Sequence, residues 1–164
     1  MDNAPLANFA FMRIIDYEPR YQADWKRINV GWISKSFVVE DVDLLVLDHP
    51  QQEIIDHGGC IILAMEDNTV VGTCALLYSA QGVYQMVKMA VDDSWRGKGI
   101  GRLLCEAIIE RARELGGHTL MLYSNRAGAA VAIALYRKLG FRELPLPTKA
   151  YARADIYMEL ELGV

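Results

Sequence analysis

The chain has 164 residues, 52% of them hydrophobic, enough for one domain with a proper core. No apolar run approaches the ~18 residues of a membrane span, which argues against a membrane protein. The formal net charge of −4 argues against a general nucleic-acid binder.

In chain order, Phe9 to Asp16 reads as a first strand. Tyr21, Trp25, Ile28 and Trp32 recur at steps of three and four, which predicts a helix over 19–32 with Pro19 in its first turn. Two short helices are expected at 42–47 and 50–57; Pro50 starts the second, and Gly58-Gly59 stops it. Cys60 to Glu66 is a buried strand, and 67–69 turns into a partner strand over 70–78. A second turn leads into a strand at 84–91. A helix over 99–115 carries an apolar stripe of Ile100, Leu103, Leu104, Ala107, Ile108 and Leu115. A strand at 118–123, a loop at 125–128 and a helix over 129–139 follow, with Val131, Leu135 and Leu139 as its expected core stripe. Strands at 141–144 and 155–160 end the chain. Cys60, Cys74 and Cys105 lie in apolar runs without a CxxC pair, so they read as buried free thiols. His49, His57 and His118 share no metal-ligand spacing, and no metal is expected. The first residues lack a basic start followed by an apolar region, so no signal peptide and a cytoplasmic location are expected.

The most informative stretch is Trp95-Arg96-Gly97-Lys98-Gly99-Ile100-Gly101-Arg102, between a strand and a helix. A helix start leaves N–H groups without partners and carries the positive end of the helix dipole. Glycines let the main chain approach a bulky anion, and Arg96, Lys98 and Arg102 add charge. A phosphate or pyrophosphate is the expected guest. The spacing excludes a Walker A loop and a dinucleotide fingerprint, because Arg102 stands where each needs a glycine. Arg-x-x-Gly-x-Gly does fit, as Arg96, Gly99 and Gly101. With Asn125 after the next strand and Leu135-Tyr136-Arg137-Lys138-Leu139-Gly140-Phe141 beyond it, the second half of the chain resembles the GNAT superfamily of N-acetyltransferases, in its small stand-alone bacterial form.

The resemblance implies an α/β (α+β) fold: a mixed, mostly antiparallel central sheet flanked by helices, residues 1–164 forming one domain. The strands either side of the glycine loop would splay to form a cofactor cleft. It implies acetyl-CoA as cofactor, with Gly97, Lys98, Gly99, Ile100 and Gly101 on the pyrophosphate, flanked by Arg96 and Arg102. Met89, Ala90 and Val91 would meet the pantetheine arm through the main chain, and the Met89 N–H would donate to the thioester carbonyl. Tyr136 would be the general acid beside the sulfur, and Asn125 a cofactor contact; equally, Asn125 reads as a turn cap. Some relatives place a glutamate where Gln85 stands, which leaves the base unassigned. Lys88 differs in strand parity from Gln85 and is expected on the opposite face. Glu40, Asp41 and Asp43 either attract a cationic amine or form a solvated helix start, the reading preferred. Arg153 either binds a substrate carboxylate or pairs with Asp155 or a surface acid. The expected activity is direct acetyl transfer to a small-molecule amine, with a protein amine as another acceptor class and a non-catalytic acyl-CoA sensor as the alternative. Neither a nucleic-acid nor a membrane partner is expected; a homodimer is possible.

Overall fold

The structure is a computed structural model and describes residues 12–148 and 152–163. The strands are β1 (Met12–Asp16), β2 (Cys60–Glu66), β3 (Thr69–Ala80), β4 (Val83–Val91), β5 (Thr119–Ser124), β6 (Arg142–Leu144) and β7 (Ile156–Glu161). They form one sheet in the order β1-β2-β3-β4-β5-β7-β6. Every pairing is antiparallel except that of β4 with β5. The helices are α1 (Gln22–Ile33), α2 (Asp41–Asp48), α3 (Ile100–Glu114) and α4 (Ala130–Lys138).

The apolar runs of β2 and β3 are continuous because both sheet faces are covered. Ile62, Ala64, Cys74 and Leu76 pack in the core that includes Leu104, Ile108 and Ala112 of α3. Their neighbours Ile61, Leu63, Met65 and Ala75 pack on the other face with Trp25 and Ile28 of α1, Leu47 and Ile54. Strand alternation thus serves two cores at once.

The expected elements recur with local differences. The first strand is seen as Met12–Asp16, and residues 9–11 lie outside the described residues, as does Tyr151. The helix expected at 50–57 is a π-helical turn, Gln51–Ile55. On α3 the buried stripe includes Cys105, Ile109 and Ala112, while Leu115 is exposed. On α4 the expected stripe holds in part: Leu135 and Leu139 are half-buried against the core, but Val131 is 88% exposed, and the fully buried residues are Ala129, Ile133 and Tyr136. Both sets have helical spacing, and only the position of the sheet selects between them.

β4 and β5 pair only through Val83–Gln85 and Thr119–Met121. Beyond Gln85, β4 is hydrogen-bonded on the β3 side alone, so its other edge faces an opening between the two strands. Among the described residues no helix is long and apolar enough to cross a membrane.

Candidate active site

The glycine segment lies where β4 gives way to α3. Asp92 opens it by accepting from the Ser94 N–H at 3.0 Å. Gly97 and Gly99 then adopt φ of +74° and +81°, a region that a side chain disfavours. Gly99 is the N-cap of α3. The N–H groups of residues 97–102 donate no hydrogen bond among the described residues. They form a crown of free donors at the positive end of a 15-residue helix. The cations around it rest on weak partners: Arg96 on Asp93 at 3.0 Å, Arg102 on Glu106 at 2.9 Å, and Lys98 over the Trp95 ring at 4.5 Å. Such exposed contacts exchange readily for a phosphate.

Gly101 is glycine for a different reason. A β-carbon there would meet only Leu135 at 3.9 Å and the Met89 sulfur at 4.0 Å. The folded chain has room for a methyl group, and the room is the gap between β4 and α4.

β4 carries a bulge at this gap. Thr73 pairs with Ala90 and Ala75 with Val87, so Cys74 faces two residues, Lys88 and Met89. Lys88 takes φ of +54°. A buried relay holds it there: the Thr73 hydroxyl donates to the Lys88 carbonyl at 2.8 Å, and the Asn29 amide donates to the Thr73 oxygen at 3.1 Å and to the Trp25 carbonyl at 2.9 Å. Asn29 and Thr73 are fully buried and were not singled out from sequence. The signal available was a polar residue within an apolar strand and another beside an apolar helix stripe. The bulge also corrects the parity argument. Lys88 is the extra residue, so its side chain turns toward α2 and lines the same cavity as Gln85.

That cavity, of about 220 Å³, opens between β4, β5, α4 and the first two helices. Met89, Asn125 and Tyr136 line it together, with Gln85, Lys88, Asp43 and Arg153; Ala90, Val91 and the glycine segment do not. Tyr136 is 6% exposed, its ring 5.7 Å from that of Phe141. Burial pushes its hydroxyl well above the ordinary value, so it remains a proton donor at neutral pH. Asn125 uses both ends of its amide on the chain: it donates to the Arg153 carbonyl and accepts from the Gly128 N–H, each at 2.9 Å. The turn-capping role is therefore present in the fold.

The acidic stretch differs from the solvated helix start. Asp41 and Glu40 are exposed, but Asp43 is 1% exposed. Arg153 grips both its oxygens at 2.8 and 2.6 Å, Lys88 donates at 2.7 Å, and the Glu40 N–H donates at 3.0 Å. Arg153 thus reaches Asp43 instead of its neighbour Asp155, which accepts from the Arg126 N–H. Burial raises the Asp43 pKa, but the bonds from Arg153, Lys88 and Glu40 outweigh it and hold the carboxyl far below the usual range. Lys88 moves oppositely to a simple ion pair: burial lowers its pKa more than Asp43 raises it. The Asp43 direction governs the cluster, because three donors converge on that one group.

No thiol is set up for attack. Burial pushes Cys60 up to about 11 and Cys105 up to about 12.

An acetyltransferase (GNAT) family model matches residues 21–141. The chain belongs to the GNAT family. The family's cofactor is acetyl-CoA. An uncharacterised Bacillus subtilis N-acetyltransferase is 32% identical over 104 residues, 61% of this chain and 66% of that protein. Across the first curated relatives the matched stretch spans between 29% and 66% of their length. A Staphylococcus aureus GNAT acetyltransferase structure covers 93% of the chain and is itself covered to 99%, with a TM-score of 0.82 at 21% identity. A Salmonella typhimurium structure, solved with its cofactor acetyl-CoA, gives a TM-score of 0.72 at 22% identity, covering 93% of this chain and 95% of its own. The seven-stranded, mostly antiparallel sheet flanked by helices matches the fold of these GNAT structures.

Proposed function

We propose that this chain is an acetyl-CoA-dependent N-acetyltransferase that passes the acetyl group directly to the amine of a small acceptor. Three features support the reading: the free N–H donors at 97–102, Gly101 facing Met89 and Leu135 across the gap between β4 and α4, and Met89 and the buried Tyr136 lining one cavity.

The pyrophosphate rests on the N–H groups of 97–102, with Arg96, Lys98 and Arg102 around it. The pantetheine arm runs past Gly101 along the open edge at Met89, Ala90 and Val91. The Met89 N–H donates to the thioester oxygen; one such donor is worth about 3 kcal/mol of barrier. The amine nitrogen attacks the carbonyl carbon, the C–N bond forms, the C–S bond breaks, and the sulfur leaves as a thiol with the Tyr136 proton. The acceptor ammonium gives up one proton to water before attack, since Gln85 takes no proton, and the second proton, lost from the nitrogen after attack, returns through the same water to Tyr136. A cavity of about 220 Å³ between β4, β5 and the helices favours a small acceptor over a folded protein surface.

The test is release of coenzyme A thiol from acetyl-CoA across a panel of amines, beside calorimetric titration with acetyl-CoA. Tight binding with amine-dependent thiol release is expected. Binding without turnover of any amine would overturn the enzyme reading in favour of a sensor.

A further inference from the structure

Lys88 is a non-glycine residue at φ +54°, a conformation that persists only where the surrounding fold fixes it. The donors around its carbonyl allow one arrangement. The Asn29 amide nitrogen has two hydrogens; one goes to the Trp25 carbonyl at 2.9 Å and the other to the Thr73 oxygen at 3.1 Å. A carbonyl only accepts, so the nitrogen of the amide, and not its oxygen, faces Trp25. Thr73 thus accepts from Asn29 and has its own hydroxyl proton left for the Lys88 carbonyl, 2.8 Å away. Asn29 and Thr73 are 1% and 0% exposed, so water does not compete for these bonds. The other end of Lys88, its ammonium, is tied to Asp43 at 2.7 Å.

The carbonyl of Lys88 and the N–H of Met89 belong to one peptide group. That peptide is trans, so the two point in opposite directions. With the carbonyl turned to Thr73 on β3, the Met89 N–H is turned away from β3. On that side the edge of β4 is open beyond Gln85, where its pairing with β5 ends. The Met89 side chain packs on the core that contains Tyr136, and both residues line the cavity. An apolar pair of the same shape would fill the space of Asn29 and Thr73 equally well, so packing does not call for their polar groups. Orienting the peptide does.

We propose that Thr73 and Asn29 are positioning residues of the transfer reaction. Thr73 aims the Met89 N–H into the cleft by holding the Lys88 carbonyl, and Asn29 acts through Thr73 by fixing the direction of its hydroxyl proton. The inference rests on the proposed function, in which that N–H stabilises the charge developing on the thioester oxygen. Asn29 borders the cavity, but both hydrogens of its amide are already spent on the chain.

The test compares acetyl-CoA, which carries the thioester carbonyl, with coenzyme A, which lacks it, using the best amine of the panel as acceptor. Thr73→Val keeps the shape and removes the hydroxyl. It should lower kcat by about ten- to a hundredfold, less than outright loss of an oxyanion donor, while calorimetry gives an unchanged affinity for coenzyme A. Thr73→Ser should recover kcat. Asn29→Leu, close in volume, should lower kcat by about tenfold alone and by nothing further in the Thr73→Val protein, because its effect passes through the hydroxyl. An unchanged kcat in Thr73→Val would overturn the proposal. So would an equal loss of affinity for coenzyme A and acetyl-CoA, the mark of a purely structural role. If Thr73→Val does not fold, Asn29→Leu decides by the same comparison of kcat and coenzyme A affinity. An Asn29→Leu effect that persists in Thr73→Val would place Asn29 on the acceptor directly and overturn its part. Acetyl transfer to no amine by the unaltered protein would overturn the proposed function itself, and this inference with it.

Discussion

Tyr136 combines two demands in one side chain. Its ring fills the core beside Phe141, and its hydroxyl belongs to the cavity wall. Tyr136→Phe keeps the first and removes the second, so the melting temperature should hold while kcat falls about a hundredfold, at the low end of general-acid effects. The KM for acetyl-CoA should change little; steady-state thiol release reads both, and an unchanged kcat would remove Tyr136 from the chemistry. Gly101 makes the opposite separation. Its missing β-carbon meets nothing closer than 3.9 Å, so Gly101→Ala should leave the fold intact and even stabilise α3 by about 0.5–1 kcal/mol. It should weaken acetyl-CoA binding about tenfold or more, because the methyl group enters the gap between Met89 and Leu135. Thermal melting set beside calorimetry separates the two effects, and unchanged affinity would move the pantetheine path elsewhere.

At the scale of elements, the bulge of β4 is the decisive device. It breaks the ladder between Thr73 and Ala75, and the Thr73 hydroxyl takes up the Lys88 carbonyl left over. Thr73→Val removes that donor with little change of shape. A buried acceptor left unsatisfied costs about 1–3 kcal/mol, and the loosened bulge should raise the KM for acetyl-CoA. Thr73→Ser should restore both values, which a loss of packing alone would not permit. The same strand is tied to α2 through Asp43. A carboxyl held below its ordinary pKa contributes stability that is present above the unfolded value near 4 and is lost as pH falls through and below it. Asp43→Asn should cost about 2–4 kcal/mol at pH 7 by leaving two cations without their anion, and its urea midpoint should fall less than that of the unaltered protein between pH 5 and 3. Parallel midpoints across that window would show that other carboxylates govern the acid limb.

For the whole molecule, the short parallel pairing of β4 with β5 joins the two halves of the sheet. A ligand seated in the opening bridges the two halves and binds only the folded chain. At a hundred times its dissociation constant it adds about 2.7 kcal/mol, or roughly 5–10 °C in melting temperature for a chain of this size. Acetyl-CoA should give that shift in a thermal melt, and dephospho or pantetheine fragments a smaller one. The two cores on either side of the sheet explain how such a split is tolerated, since α3 closes one face and α1 with α2 the other.

The amino-acid sequence by itself determined the element order, the buried strand at 60–66 with its partner at 70–78, the helix after residue 99 and the glycine segment with its family. Those features are local: periodicity, turn residues and a helix start are written within a dozen neighbours. Tertiary structure decided that Ile133 and Tyr136, with Leu135 and Leu139 beside them, face the core from α4 while Val131 does not, because Val131 and Ile133 are equally apolar until a neighbour covers one of them. It decided that Lys88 lies on the side of Gln85, because one extra residue in a strand reverses parity and the relay through Asn29 and Thr73 that fixes it spans distant segments. It also decided that Asp43, at a helix start that read as solvated, is the buried anion of the cavity. Its partners Lys88 and Arg153 stand 45 and 110 residues away, and charge pairing at such separation has no signature in spacing.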